Sequence, residues 1–222
     1  WALALNELCV DADVHDEAAR EVLTALVPVA IDLDELPRLA HVRRAARQNQ
    51  LPAALRLLRC TTAAGQLIDV ETRFVAGGIA KRSDGSPLTL GERRAMARKP
   101  SRSMLHKLLA DPHPMVVRIL LANPRITEDD VVLMASRRPA SADLVREIAK
   151  TWSRQARVRM TVVQNPGCPP AVSVPLLNLL NRHELRQVAQ AADVIAVVRA
   201  TAQELYELRP PMPAMDVPEL KH

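Results

Sequence analysis

The chain has 222 residues, a mass of 24.5 kDa and a formal charge of +5, which allows one large or two small domains. Only 2% of the residues are aromatic, a composition that disfavours a sheet protein and favours a core of Ala, Leu, Val and Met in short helices. The sequence contains no run of 18 apolar residues without charge, so it predicts no membrane-spanning helix. The first residues lack the basic start of a secretory signal, and we expect a cytoplasmic protein.

Residues 1–62 are predicted to form an N-terminal helical cap or a small helical module. Apolar residues at helical spacing predict helices at 1–9, 14–28, 33–48 and 51–61. This segment carries 7 basic and 9 acidic side chains, so it is weakly acidic. The internal repeat that follows it in the chain is not recognisable here.

An internal repeat organises the next part of the chain, and we assign residues 63–208 to an α-helical repeat domain. Residues 88–97 and 126–135 share an aliphatic residue, Thr, an acidic residue and Met-Ala at a constant offset of 38. A second alignment, at an offset of 42, pairs the Asn-Pro of residues 123–124 with that of residues 165–166. Two such registers in adjacent segments predict tandem units of about 40 residues.

Local signals divide the repeat domain into short helices. Thr89 with Glu92, and Thr127 with Asp130, have the spacing of an N-terminal capping box. Each Asn-Pro ends a helix, because the residue before proline is steered away from the α region. The predicted helices are 67–80, 88–97, 101–110, 114–122, 127–136, 141–150, 155–164, 170–180, 182–190 and 193–208.

These helices are too short to be stable alone, since isolated helices below about 12–15 residues are marginal in water. Each helix must therefore bury an apolar stripe against its neighbours. We predict an all-α protein, a right-handed α-solenoid of short helices. The proline-rich C-terminal tail, residues 209–222, cannot be regular, and we expect it to be either disordered or laid on the surface.

Two segments resemble the leucine-rich-repeat variant pattern, in which Val-Arg leads to Asn-Pro. Residues 111–124 contain Val-Val-Arg before Asn-Pro, and residues 158–170 contain Val-Arg, Asn-Pro and Pro-Pro. That family belongs to the HEAT/armadillo-like superhelices, whose members mostly bind other macromolecules. The resemblance thus implies a superhelical binding protein. The units here are longer than that family's period, and the iron–sulfur cysteines of some members have no counterpart, so no catalytic residue is implied.

No motif in the sequence predicts a metal, a cofactor or a catalytic residue. Cys9, Cys60 and Cys168 form no Cys-x-x-Cys pair, which is typical of buried reduced thiols. The acidic run 11–17 lacks the Gly at the sixth position and the Glu at the twelfth position of a calcium loop. Residues 77–81 lack the frame of a phosphate-binding loop. We therefore predict a protein that is not an enzyme and carries no cofactor.

The positive charge is concentrated between residues 81 and 160, which hold 17 Lys or Arg against 8 Asp or Glu. The pairs at 98–99 and 137–138 lie at equivalent corners of successive units, so stacking would bring them to one edge. Lys and Arg at such corners can equally well complement the negative ends of helices without binding anything. The candidate residues for binding a partner or nucleic acid are Arg94, Arg98, Lys99, Arg102, Arg125, Arg137, Arg138, Arg154 and Arg157, here called the basic set.

The sequence supports three functional hypotheses. The first is a non-catalytic α-solenoid scaffold that binds a protein partner through its superhelical surface. The second is binding of nucleic acid by the basic set through the phosphate backbone. A chain with only four aromatic residues has few side chains on which bases could stack. The third is a HEAT-like DNA glycosylase, which would need aromatic side chains on its concave face, and Trp152 is the only aromatic residue between positions 88 and 190.

Overall fold

The computed structural model describes residues 1–61, 78–99, 101–138 and 140–211, and these residues form an all-α structure. They contain an isolated bridge between Lys81 and Pro87 but no β-strand, so the predicted all-α class is confirmed. A 3-10 helix, Leu33–Glu35, precedes α3. The helices are α1 (Ala2–Asp13), α2 (Glu17–Ala30), α3 (Leu36–Gln48), α4 (Pro52–Leu57), α5 (Leu90–Arg98), α6 (Arg102–Leu108), α7 (Pro114–Leu121), α8 (Glu128–Ala135), α9 (Ala142–Trp152), α10 (Ala156–Val163), α11 (Pro170–Leu177), α12 (Arg182–Gln190) and α13 (Ala196–Leu208).

Most predicted helices are present, with shifts at their ends. The helix predicted at 14–28 begins at Glu17, because the Asp16 carboxylate accepts a hydrogen bond from the backbone N–H of Ala19 and so caps α2. The helix predicted at 51–61 already ends at Leu57. Most of the helix predicted at 67–80 lies outside the described residues, as do residues 212–222 of the predicted tail.

The two capping boxes predicted from the sequence are confirmed. Thr89 and Glu92 form a capping box at the start of α5, and Thr127 and Asp130 form one at the start of α8. These caps pair first-turn N–H groups that would otherwise lack a partner, so each helix begins at a fixed residue. Ser141 also caps its helix, by accepting a hydrogen bond from the backbone N–H of Leu144.

The repeated Asn-Pro motif has a second role that its sequence position does not reveal. The side-chain amide of Asn123 donates to the carbonyl oxygens of Ala97 and Lys99, at 2.7 and 3.1 Å, where α5 ends. The amide of Asn165 donates in the same way to Ala135 and Arg137, at 2.7 and 2.9 Å, where α8 ends. The acceptors at the first contact lie 38 residues before those at the second, and the two asparagines lie 42 residues apart. The two offsets found in the sequence therefore belong to one contact that occurs twice.

We call this contact the asparagine bridge. Each asparagine also accepts, through Oδ1, a hydrogen bond from the backbone N–H two residues later, so all of its polar atoms are engaged. Asn123 and Asn165 are buried. An unpaired helix-end carbonyl in such a position would cost free energy, and the bridge removes that cost. It links the end of α5 to the turn between α7 and α8, and the end of α8 to the turn between α10 and α11.

Arg209 occupies the corresponding place after the last helix. Its guanidinium donates to the carbonyl oxygen of Asn178 at 2.8 Å and also to that of Leu180, just beyond the end of α11. Its Nε donates to the carboxylate of Asp13 at 2.9 Å, and Arg56 pairs with the same carboxylate. An arginine thus replaces the asparagine at the third position and ties the end of the repeat to α1.

The N-terminal helices pack directly on the later ones. Helix α2 contacts α9 and α11, and α4 contacts α11. Lys150 on α9 pairs with Asp32 at 2.6 Å, and this hydrogen bond holds the pKa of the Asp32 carboxyl below its usual value. One cluster of buried apolar side chains extends from Cys9 to Leu205, so the same core includes both segments. Among the described helices, none has the length and apolar character needed to cross a bilayer.

Candidate interaction surfaces

Three members of the basic set are brought together around the first asparagine bridge. Asn123 accepts from the backbone N–H of Arg125 and donates to the carbonyl oxygen of Lys99. Arg102 donates to the carbonyl oxygen of Arg125 at 3.2 Å. Lys99, Arg102 and Arg125 all have exposed side chains, so this corner presents three cations to solvent.

The second bridge places Arg137 in the position that Lys99 occupies at the first. The carbonyl oxygen of Arg137 accepts from Asn165 at 2.9 Å, as that of Lys99 does from Asn123. The side chain of Arg137 is half-buried, and this burial lowers the pKa of its guanidinium. The two corners are therefore equivalent in the backbone, as the repeat predicts, but the second exposes less positive charge.

Four members of the basic set pair with acidic side chains. Since a neighbouring carboxylate cancels much of the potential that would attract an anion, these four arginines contribute little to a positive surface. The pairs are Arg102–Asp130, in which Nη2 lies 2.9 Å from Oδ1, Arg138–Asp193 at 3.3 Å, Arg154–Glu21 at 3.4 Å and Arg157–Asp129 at 2.8 Å. Arg94, Arg98, Lys99, Arg125 and Arg137 have no ion pair within the described part of the chain.

Other members of the set lie away from the two corners or are less exposed. Arg154 lies against α2, where it meets Glu21, rather than beside an asparagine bridge. Arg94 on α5 is half-buried. The structure thus gathers part of the basic set at two corners and distributes the rest among intramolecular contacts.

The sequence interpretation missed an apolar surface on α1 and α2, which pack side by side as a helical hairpin. The apolar side chains on its outer side are between 37% and 61% exposed. They recur at helical spacing, so each helix presents a row. We call this surface the hairpin face, and its residues are Leu3 and Val10 on α1, Val14 directly after α1, and Val22, Leu26 and Val29 on α2. The signal available in the sequence was that α2 carries apolar residues on two faces, one of which packs inward.

The charged side chains exposed on these two helices are all carboxylates. Glu7 and Asp11 lie on α1, and Glu17 and Glu21 lie on α2. The one basic residue of the pair, Arg20, is half-buried and points its guanidinium towards the carbonyl oxygen of Leu180 at 3.5 Å. The hairpin face is therefore apolar with acidic surroundings.

A polar cleft of about 330 Å³ lies beside α2, between it and the starts of α10 and α12. Arg20 and Arg159 line it together with Glu17, Glu21 and Glu184. Arg159 donates to the carbonyl oxygens of Ser153 and Arg154, and burial lowers the pKa of its guanidinium. Three carboxylates against two guanidiniums leave the cleft without the excess positive charge that an anion site requires.

The cysteines lie apart, and none forms a disulfide. Burial raises the thiol pKa of Cys9 and of Cys168 to about 12, and it also raises the pKa of Cys60. A thiol must lose its proton to act as a nucleophile or a metal ligand, so burial disfavours both roles for these residues. Within the residues that the structure describes, no three His, Cys, Asp or Glu side chains are grouped so that they could hold a metal ion.

The chain was compared with known proteins at three levels. No protein-family model matches it, no curated protein matches it, and no solved structure matches it. The functional interpretation therefore depends on the surfaces themselves.

Proposed function

We propose that this chain is a non-catalytic α-solenoid scaffold that binds a protein partner through its surface, in the manner of the HEAT/armadillo-like superhelices that its Val-Arg and Asn-Pro segments resemble. The asparagine bridges support the solenoid. They connect the ends of α5 and α8 to the helices that follow, and Arg209 makes the corresponding contact beyond α11. A recurring contact of this kind between successive units is typical of stacked repeats.

The observation that carries the protein-binding proposal is the hairpin face. Monomeric proteins seldom leave rows of apolar side chains exposed side by side on neighbouring helices, and such rows mark interaction sites. Covering Val22, Leu26 and Val29 with a partner removes apolar area from water, which favours association.

Binding of nucleic acid through its phosphates is the second candidate. Arg98, Lys99 and Arg125 are exposed, and within the described ranges they have no carboxylate partner. Against it, four other members of the basic set already pair with carboxylates, which reduces the number of cations available to phosphates. The protein-binding proposal is therefore the better supported of the two.

Titration of fluorescently labelled duplex DNA at two salt concentrations separates the two candidates. Five unpaired cations neutralising five phosphates would give a slope of log K against log salt of about −4.5. That slope, together with its loss after charge reversal at Lys99 and Arg125, would establish the nucleic-acid function. The scaffold proposal expects no measurable binding at low salt.

Capture of partners on immobilised protein tests the scaffold directly. The variant Val22→Gln/Leu26→Gln removes apolar area from the hairpin face without adding charge. Leu133→Gln on α8 is a matched control, because Leu133 is exposed to a similar degree but lies on another helix. We expect proteins retained by the wild type and the control to be lost from the double variant. Identical retention by all three forms would contradict the proposal.

A further inference from the structure

The charge around the hairpin face restricts what can cover it. The exposed carboxylates of Glu7 and Asp11 lie along α1, and those of Glu17 and Glu21 lie along α2. Glu21 has one exposed ion-pair partner, Arg154, at 3.4 Å. Like charges placed opposite each other at an interface disfavour association, whereas opposite charges accelerate and orient it.

These carboxylates argue against three possible occupants. A second copy docked face to face by two-fold symmetry would bring the same acidic residues against each other. An anionic lipid surface and a nucleic acid would both present negative charge to the same carboxylates. The occupant that fits is apolar along one side and positively charged beside it.

The spacing of the apolar residues indicates the shape of that occupant. Val22, Leu26 and Val29 follow an i, i+4, i+7 pattern on α2, and Leu3, Val10 and Val14 follow an i, i+7, i+11 pattern along α1 and the residue that ends it. Two adjacent helices with such rows offer a surface on which a third helix can lay its own apolar stripe. A partner helix with Lys or Arg beside that stripe would meet the carboxylates of Glu7 and Asp11 on α1. The carboxylates of Glu17 and Glu21 on α2 also line the cleft that Arg20 and Arg159 share.

We propose, building on the scaffold function above, that the hairpin face binds a basic amphipathic helix of a partner protein. The apolar rows supply the affinity, and the carboxylates of α1 and α2 select a positively charged helix. The proposed partner does not need the exposed cations at the asparagine bridges, Lys99 and Arg125, which lie outside α1 and α2.

A pair of synthetic peptides tests this inference. The probe is a fluorescein-labelled amphipathic peptide with Leu on one helical face and Lys on the other. Its control has Glu in place of Lys. Fluorescence anisotropy is measured with the whole chain at low and high salt, and far-UV circular dichroism verifies that each variant is folded.

We expect the Lys peptide to bind the wild type at least ten times more tightly than the Glu peptide, with an affinity that falls as salt rises. Val22→Gln/Leu26→Gln should weaken binding at least tenfold, and Leu133→Gln should leave it within twofold. Glu17→Gln/Glu21→Gln should reduce the salt dependence. Hydrogen exchange should slow in α1 and α2 when the Lys peptide is present.

Several outcomes would overturn the inference. Equal binding of the Lys and Glu peptides, or no binding of either, would contradict the basic-helix assignment and leave the scaffold proposal to the capture experiment. A sedimentation experiment in which the wild type is a dimer and Val22→Gln/Leu26→Gln a monomer would assign the hairpin face to a second copy. Salt-dependent binding of duplex DNA by the same preparation, abolished by charge reversal at Lys99 and Arg125, would instead overturn the scaffold function.

Discussion

Replacing Asn165 with alanine should destabilise the fold far more than the loss of one small polar side chain suggests. Asn165 is buried, at 4% exposed, and makes three hydrogen bonds. Its amide donates to Ala135 and Arg137 at 2.7 and 2.9 Å, and its Oδ1 accepts from the N–H of Gly167 at 2.8 Å. Alanine removes all three and leaves their partners unsatisfied in a site that is closed to water.

The magnitude follows from the number of bonds. Each hydrogen bond contributes about 1 kcal/mol net, so the expected loss in the free energy of unfolding is about 3 kcal/mol. For a chain of this size, 1 kcal/mol corresponds to about 2–4 °C, so Tm should fall by about 6–12 °C. Asn123→Ala should give a similar loss, because its bonds are equivalent.

Thermal and urea unfolding followed by far-UV circular dichroism measures this loss. Asn49→Ala is the matched control, because Asn49 is exposed and its amide bonds only to the carbonyl oxygen of Ala45 in the same turn. Its loss should stay below about 0.5 kcal/mol. If Asn165→Ala and Asn49→Ala shifted Tm equally, the asparagine bridge would not stabilise the stack.

Three further predictions concern a glycine, a carboxylate and a thiol. Gly167→Ala should lower the free energy of unfolding, measured in urea, by about 1–3 kcal/mol, because the new Cβ would lie 2.8 Å from a backbone oxygen. Gly91→Ala should raise it by about 0.5 kcal/mol, because a Cβ at this position on α5 would lie in open space. The hydrogen bond from Arg82 lowers the pKa of the Glu92 carboxyl from its ordinary value of 4.5 to about 2. The ionised carboxylate therefore stabilises the fold fully above pH 4.5, and this stabilisation is lost as the pH falls towards 2. In acid titrations of unfolding, Glu92→Gln should lose less stability across that interval than the wild type. Burial raises the pKa of the Cys168 thiol to about 12, so at pH 8 it should react with Ellman's reagent only as fast as the protein unfolds.

Each of these has a clear contrary result. Equal effects of alanine at the two glycines would mean that the close approach at Gly167 is relieved without cost. Parallel pH profiles for the wild type and Glu92→Gln would show that the carboxylate is not paired in the folded state. Immediate labelling of Cys168 under native conditions would show that its surroundings open without unfolding.

The helices were largely predictable, because their boundaries depend on neighbouring residues. The capping box of Thr89 with Glu92 and that of Thr127 with Asp130 are complete within four residues of sequence. Composition excluded a sheet for a similar reason, since a chain with so few aromatic residues has little to fill the faces of a sheet. The repeat offsets were visible in the sequence as well. The Asn-Pro motifs, however, predicted only the ends of helices and not the hydrogen bonds that their asparagines donate.

The surfaces were less predictable, because exposure and pairing depend on contacts between distant residues. Arg138 meets Asp193 and Arg154 meets Glu21, and neither pairing has a signal in the local sequence. Four of the nine members of the basic set pair with carboxylates that the local sequence does not identify. Leu26 lies in the helix predicted at 14–28, and only the packing of α2 decides which of its two apolar faces turns outward.

The sequence by itself determined the short helices, their caps and their approximate period, because those features arise from interactions within one turn of chain. The tertiary structure alone decided that Asn123 and Asn165 join successive helices and that Arg209 continues the series by reaching Asp13. It also decided that α1 and α2 carry an apolar surface, with carboxylates on the same helices, that the rest of the described chain leaves exposed. Those outcomes depend on which carbonyls, charges and apolar rows meet across tens to hundreds of residues, and that information is set by packing geometry.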